Sequence, residues 1–404
     1  MNKTKTKQEP LITRRKMRFD TYFTILNAIH DGISTKRAIR EKTKISWASC
    51  SDIINDLSDL QIIIADDDPK HQLYRPGPKT TVYKFNDQKN LILGLEITPE
   101  SINATVIDLG KNILFKKQYH LQTTLSDETI NPVVQEIFYQ ILDDSQKSED
   151  SIIGLVFALT GAIDMINLRW ITTPKIYSIN SIEFSTFKTL FPHVKHLAIE
   201  HDIIARANSI IENGGKYSLN FAFLHVSDGV GMTVMNNGSY IRGSRGFAGE
   251  LGHIQLLHYD RIKGVPCFCG KTNCLESKLS SKALINHIKE SFGITLNHID
   301  ELNQKCTQKE IDDFYQAFFE VLSNTLVTIT NLFDPEIILI GGKVIEIWYD
   351  TLQETLLPHI KENSWQQGPK DIQFYFEEMS NPSYGAAISV IHKIMENLVL
   401  EALE

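Results

Sequence analysis

Apolar residues at the start of the chain recur at helical spacing. Phe19, Phe23, Leu26 and Ile29 fall every three to four positions and the run stops at Asp31-Gly32, which predicts a first helix. Ser34 is placed to cap a short second helix with Ala38 and Ile39 on its inner face, and Lys44-Ile45 turns the chain. A third helix opening near Ser46 carries the stripe Cys50, Ile53, Ile54, Leu57 and Leu60. Ile62-Ile63-Ile64 and Thr81-Val82-Tyr83-Lys84-Phe85 then read as two strands, separated by Asp66-Asp67-Asp68-Pro69 and Tyr74-Arg75-Pro76-Gly77-Pro78-Lys79. Three short helices followed by a two-stranded wing form a winged helix-turn-helix pattern.

From Asn90 onward the pattern changes to strands alternating with helices. Leu91–Ile97, Ser101–Gly110 and Ile113–Phe115 predict a three-strand meander, Ile130–Leu142 a helix, and the apolar run Ile152–Leu159 a buried strand that enters the turn Thr160-Gly161-Ala162-Ile163-Asp164. The arrangement then recurs loosely. Phe221–Val226, Gly231–Met235 and the turn Asn236-Asn237-Gly238 predict a second meander, and Glu336–Gly342 a late parallel strand. Two related α/β halves enclosing a cleft follow from this repetition.

The 404 residues carry a net charge of −8, but the signs segregate. Residues 1–90 hold 17 Lys and Arg against 11 Asp and Glu, a net of +6; residues 91–404 hold 24 against 38, a net of −14. A basic head on an acidic body points to a polyanionic partner for the head, here double-stranded DNA. Ser46, Trp47, Ser49 and Ser51 lie off the buried stripe of the third helix, where they can approach bases or phosphates. Arg75 and Lys79, on a proline-stiffened loop, suit a phosphate backbone or a narrow minor groove, and a flexible basic segment Lys3–Arg18 adds salt-dependent affinity. No stretch approaches the roughly 20 apolar residues of a membrane span, and Met1-Asn2-Lys3-Thr4-Lys5 lacks the apolar core of a signal peptide. The expected location is the cytoplasm, with no membrane partner.

Three of the five cysteines, Cys267, Cys269 and Cys274, fall within eight residues and follow Gly249-Glu250-Leu251-Gly252-His253. Clustering of this kind in a cytosolic chain favours a metal over disulfides. One imidazole and three thiolates complete a tetrahedral Zn site with no open position, so one structural zinc per chain is expected. Cys50 and Cys306 read as small apolar core residues.

The motifs Gly249-Glu250-Leu251-Gly252-His253 and Cys267-x-Cys269-Gly270-x-x-x-Cys274-Leu275-Glu276 resemble the paired signatures of the ROK family, which groups sugar-responsive repressors with sugar kinases. The resemblance extends through Arg75-Pro76, Glu200-His201-Asp202, Asp228-Gly229-Val230-Gly231, Phe333-Asp334-Pro335-Glu336 with Gly341-Gly342, and Tyr384-Gly385-Ala386-Ala387. It implies an actin-like (ribonuclease H-like) two-lobed sugar kinase fold behind the winged helix-turn-helix head. The expected division is a head of residues 1–88, a first lobe of 89–195 joined by 380–404, and a second lobe of 196–379 with the zinc motif and the dimerisation surface. Carried over by motif, the sugar contacts are Gly161, His201, Asp202, Glu250, His253 and Glu276. A histidine with one nitrogen on zinc can offer its other N–H to a sugar oxygen. His201 stands where the family usually has Asn, and Lys175 sits near where a sugar-contacting Asn is common; an anionic or otherwise substituted sugar is the expectation these departures raise.

A kinase of this family needs a first phosphate loop of the Asp-x-Gly-Gly-Thr kind. This chain has Glu96-Ile97-Thr98-Pro99-Glu100, without either glycine, with a proline that removes an N–H and with an extra carboxylate that repels triphosphate. The leading expectation is a sugar-responsive transcriptional regulator, a repressor, that is not an enzyme. It acts as a homodimer, with a tetramer also open, binds operator DNA, and answers to a sugar or sugar derivative. The alternatives are an ATP-dependent sugar kinase with a DNA-binding head, and a regulator answering to a protein partner.

Overall fold

The computed structural model describes residues 9–66, 81–173, 176, 178–214, 218–256, 261–262, 264–365 and 367–402, with residues 9–18 by their backbone alone. The chain divides into two compact units: Met1–Ala158 with Phe184–Ile199 and Ala386–Glu404, and Leu159–Glu183 with Glu200–Gly385.

The first unit opens with helices α1 (Glu9–His30), α2 (Lys36–Thr43) and α3 (Trp47–Asp59), followed by strands β1 (Ile63–Asp66) and β2 (Val82–Phe85). The strands pair antiparallel with Ile63 opposite Phe85 and Asp66 opposite Val82, which is the base of the expected wing. Tyr22, Ile25, Leu26 and Ile29 of α1 bury against Ile39 of α2 and Cys50, Ile53, Ile54 and Leu57 of α3, and the Tyr22 hydroxyl hydrogen-bonds Asp56. Arg75 and Lys79 lie outside the described residues.

Two expectations for the head are corrected. Helix α1 begins at Glu9, ten residues before the apolar stripe, so residues 9–18 are not a flexible arm. Glu9-Pro10 at its start suits a helix N-terminus, and the Leu, Arg, Lys and Met that follow are good helix formers. The cap of α2 is Thr35 rather than Ser34: the Thr35 hydroxyl accepts from the Ala38 N–H, while the Ser34 carbonyl accepts from Tyr83 of the wing.

Behind the head, β3 (Leu91–Ile97), β4 (Ser101–Ile107) and β5 (Ile113–His120) form the expected meander; α4 (Ile130–Ser145) follows, and then β6 (Ile152–Leu159), parallel to β3. The strand His196–His201 completes the order His196–His201, β6, β3, β4, β5. All eight residues of β6 are buried, as its unbroken apolar run predicts for a central strand. The edge strand β5 runs five residues beyond the predicted Phe115, through Lys116–His120, most of it exposed. A Cβ at Gly154 of β6 would come within 2.9 Å of Ile394, so the C-terminal helix Ile391–Ala402 packs closely there.

The second unit holds a five-stranded mixed sheet. Phe221–Val226 pairs antiparallel with Val230–Asn236 and parallel with Ile337–Gly341, which pairs parallel with Asp371–Tyr375; Ser239–Tyr240 closes the other edge. This is the second meander with the late parallel strand. The 26-residue helix Gln308–Phe333 opens with a capping box between Thr307 and Glu310 and packs Phe314 and Phe318 against Trp348. A separate three-stranded antiparallel sheet, Ala162–Asp164, Arg169–Thr172 and Asn180–Glu183, follows the Thr160-Gly161 turn. Among the described residues no helix is long and apolar enough to cross a membrane.

Candidate functional site

The residues expected to hold metal and sugar meet in the second unit. The loop Gly249–His253 lies directly on the strand Val230–Asn236: a Cβ at Gly249 would stand 2.5 Å from the Met232 carbonyl oxygen, and one at Gly252 would stand 2.4 Å from that of Val230. Only glycine permits this approach, which explains why Glu250 and His253 are flanked by it. Beyond the loop the chain pairs with the end of the cysteine motif. The Leu256 N–H donates to the Asn273 carbonyl at 2.8 Å and the Leu275 N–H to the Ile254 carbonyl at 2.9 Å, which brings His253 beside the three thiols.

There, His253, Cys267, Cys269 and Cys274 place one ligand atom each within 4.8 Å of one another. His253 Nδ1 is 3.4 Å from Cys267 Sγ, and Cys269 Sγ is 3.6 Å from Cys274 Sγ. A tetrahedron with Zn–S near 2.3 Å and Zn–N near 2.0 Å has edges of about 3.5 to 3.8 Å. The cluster therefore fits a small four-coordinate cation such as zinc. Cys267 and Cys274 are buried, and burial together with the neighbouring thiols pushes the metal-free Cys267 thiol up to about 12.

His253 faces two ways. Its Nδ1 edge belongs to the thiol cluster, and its Nε2 lies 3.9 Å from a carboxylate oxygen of the half-exposed Glu250. Glu276, two residues past Cys274, accepts a hydrogen bond from the Val230 N–H at 3.2 Å, in the Gly229-Val230-Gly231 turn. Burial raises its pKa, against the opposing pull of that N–H and of His253.

His201 and Asp202 stand at the start of the helix Asp202–Glu212. Thr160, beside Gly161, donates its hydroxyl to Asp202 Oδ2 at 2.8 Å, and its carbonyl accepts from the Trp170 indole at 2.9 Å. His201 Nδ1 is buried, lies 3.9 Å from Asp202 Oδ1 and has no hydrogen-bond partner among the described residues. Burial opposes a charge on this ring, but the carboxylates of Asp202, Glu250 and Glu200 outweigh it and raise the pKa above the ordinary 6.5. Lys175 lies outside the described residues.

The carboxylate that precedes His201 has its partner far along the chain. Glu200, 2% exposed, receives two N–H···O bonds of 2.8 Å from Arg242 and a third, of 2.9 Å, from the His201 backbone N–H. Arg242 is seven residues before Gly249, and the pair spans 42 positions, so no local spacing signals it.

In the head, Ser46 is the N-cap of α3: its hydroxyl accepts from the Ser49 N–H at 3.2 Å and donates to the Ser49 hydroxyl at 2.8 Å. Ser51 accepts from Lys36 Nζ at 3.3 Å, and Trp47 is 55% exposed. All four lie at the N-terminal end of α3, the end that enters the major groove in helix-turn-helix proteins.

The family model of the ROK family matches residues 92–392. The chain belongs to the ROK family. Among ROK relatives, the xylose repressor of Bacillus subtilis (strain 168) is 25% identical over 281 residues, 67% of this chain and 68% of that protein. The DNA-binding transcriptional dual regulator NagC of Escherichia coli (strain K12) is 23% identical over 384 residues, 90% and 89% of the two chains. The crystal structure of a ROK family transcriptional regulator, a homolog of the E. coli MLC protein, superposes with a TM-score of 0.73 at 18% identity, covering 95% of this chain and 99% of that one. The fold is thus the actin-like α/β sugar kinase fold of the ROK proteins with a winged helix-turn-helix head.

Proposed function

We propose that this ROK protein is a sugar-responsive, DNA-binding transcriptional regulator, a repressor of carbohydrate-metabolism genes. The observation that carries the reading is the union, in one chain, of a winged helix-turn-helix head with a second-unit cluster in which His253 borders both a thiol set and the Glu250 carboxylate. The similarity to repressors and regulators that reaches into the head supports it.

In this reading residues 1–88 form the DNA-binding head and the two lobes 89–195 with 380–404, and 196–379, form the sensor. Asp202, Glu250 and Glu276 accept sugar hydroxyls, His253 and His201 donate to sugar oxygens, and Gly161, where a Cβ would stand 2.4 Å from the Thr172 carbonyl oxygen, carries the turn beside them. His253, Cys267, Cys269 and Cys274 hold a structural zinc, which fixes the imidazole and so the donor direction of its outer nitrogen. Ser46, Trp47, Ser49 and Ser51, with Arg75 and Lys79 of the wing, face operator DNA. A homodimer supplies paired heads for symmetric half-sites. Sugar acts by its differential affinity for the DNA-competent and DNA-incompetent states, typically about 1–3 kcal/mol of coupling per site.

Phosphate transfer is not part of the proposal. At the place of the first phosphate loop, the Glu96 carboxylate accepts from Asn103 at 2.7 Å, and Thr98 and Ser101 close the turn through backbone and hydroxyl bonds of 2.9 to 3.0 Å. The side chains of Glu96, Thr98 and Ser101 are thus engaged locally.

The test is equilibrium binding of the purified protein to DNA upstream of its own coding region at one fixed salt concentration, titrated with neutral, N-acetylated and 6-phosphorylated sugars. Release by one sugar class is the expected result. Specific binding that no sugar alters transfers the sensing role to a protein partner, and absence of specific binding sinks the regulator reading.

A further inference from the structure

Helix α3 turns one stripe away from the head's core. Its buried side is Cys50, Ile53, Ile54 and Leu57, and on the opposite side, at the same 3.6-residue period, Ala48, Asp52, Asn55 and Asp59 are exposed. The helix contains no lysine or arginine. The cations beside it belong to α2 and its C-cap, where Arg40, Lys42 and Lys44 are exposed. Those charges suit a phosphate backbone. A carboxylate on the outward stripe does not, and Asp52 makes no hydrogen bond or ion pair among the described residues. An ionised carboxylate accepts hydrogen bonds and donates none, so on a DNA duplex its favourable partner is an exocyclic amine at a base edge; in the major groove that is the N4 amine of cytosine.

Asn55 is constrained by chemistry rather than by packing. Lys36 Nζ lies 3.2 Å from Asn55 Oδ1 and 3.3 Å from Ser51 Oγ. An ammonium only donates, so the amide atom it meets is the oxygen and the Nδ2 group points elsewhere. Two-bond reading of adenine needs both amide atoms; with the oxygen engaged, the amide is left as a donor toward an acceptor edge, guanine N7 and O6 or thymine O4.

Resting on the DNA-binding reading above, we propose that α3 reads a cytosine through Asp52, while Asn55, its oxygen held by Lys36, donates to the acceptor edge of a neighbouring base. The occupant of this face is the major groove of a duplex: exposed cations of α2 and its C-cap lie beside it, and of the two exposed carboxylates on the outward stripe, Asp52 and Asp59, Asp52 is the one nearer the N-terminal end of α3, the end that meets base edges.

The experiment is selection from a randomised double-stranded DNA library by the full-length protein at one fixed salt concentration, with wild type beside Asp52→Asn, Asp52→Ala and Lys36→Met. The wild type enriches a two-fold symmetric motif with one cytosine column in each half-site. Asp52→Asn moves that column toward adenine, because asparagine pairs with both N6 and N7; Asp52→Ala flattens it, discrimination falling about tenfold or more, and leaves non-specific affinity equal or higher. Lys36→Met lets adenine into the neighbouring column. A motif unchanged by both Asp52 variants overturns the proposal and leaves DNA binding standing. A neighbouring column unmoved by Lys36→Met overturns the Asn55 half. Failure of the wild type to enrich any motif removes the specific-DNA reading and this proposal together.

Discussion

Arg242 and Glu200 are joined by two N–H···O bonds of 2.8 Å each. The pair ties the segment leading to Glu250 and His253 to the strand end that presents His201 and Asp202. A guanidinium fork matches a carboxylate in geometry as well as charge, so it fixes orientation where a lysine would fix only proximity. Removing one partner leaves the other without its counter-charge, and Glu200 is the more deeply buried of the two.

Arg242→Ala is therefore expected to weaken the binding of the effector sugar about tenfold or more and to lower the thermal midpoint, with Arg242→Lys intermediate. Calorimetric titration alongside metal analysis checks this. The zinc content should stay at one per chain, since the side-chain hydrogen bonds of Arg242 go to Glu200 and Met165 and to none of the four ligand residues; unchanged sugar affinity in Arg242→Ala would sink the positioning role.

The thiol cluster predicts one tightly held zinc per protein chain, measured by elemental analysis after gel filtration. Cys274→Ser, at a fully buried position, should abolish it, and stripping the metal with a chelator should lower the unfolding temperature in step with metal loss. A protein that is metal-free as purified and equally stable with added zinc would contradict the structural assignment.

His201 titrates above the usual histidine range, because the three carboxylates outweigh the burial that opposes its charge. A raised folded-state value stabilises the protein fully below the unfolded value near 6.5, and this contribution disappears as pH rises through the folded value. Nuclear magnetic resonance of the imidazole checks the direction. Asp202→Asn should move the midpoint down, and a wild-type midpoint below 6.5 would contradict the carboxylate account.

Incubation with magnesium, ATP and the sugar that releases DNA should yield no sugar phosphate. Turnover that vanishes in Asp202→Asn would restore the kinase reading, since a carboxylate in reach of a sugar hydroxyl is the group a kinase would use as base.

Much of this was legible in the chain because the signals are local. The unbroken run Ile152–Leu159 can only be a strand buried on both faces, and three cysteines within eight residues leave little room for anything but a shared ligand. What escaped has non-local causes. Lys116–His120 reads as polar because it continues an edge strand whose face meets solvent, and pairing with Ser101–Thr105 rather than apolar patterning makes it a strand. Residues 9–18 look like a basic tail because propensity, not a hydrophobic stripe, is the sequence feature that favours helix there. The choice of Thr35 over Ser34 as cap was decided by the wing, which claims the Ser34 carbonyl. Glu200 was visible within a motif, but its partner Arg242 was not.

His253 has one nitrogen 3.4 Å from Cys267 Sγ and the other 3.9 Å from Glu250. In the proposed reading an ion and a sugar would grip opposite edges of this ring, and two such ligands are thermodynamically reciprocal: whatever the filled thiol pocket does to the affinity for sugar, sugar must do in equal measure to the affinity for the ion. In a cell short of the ion, the same ring would make gene control respond to trace-element supply as well as to carbon.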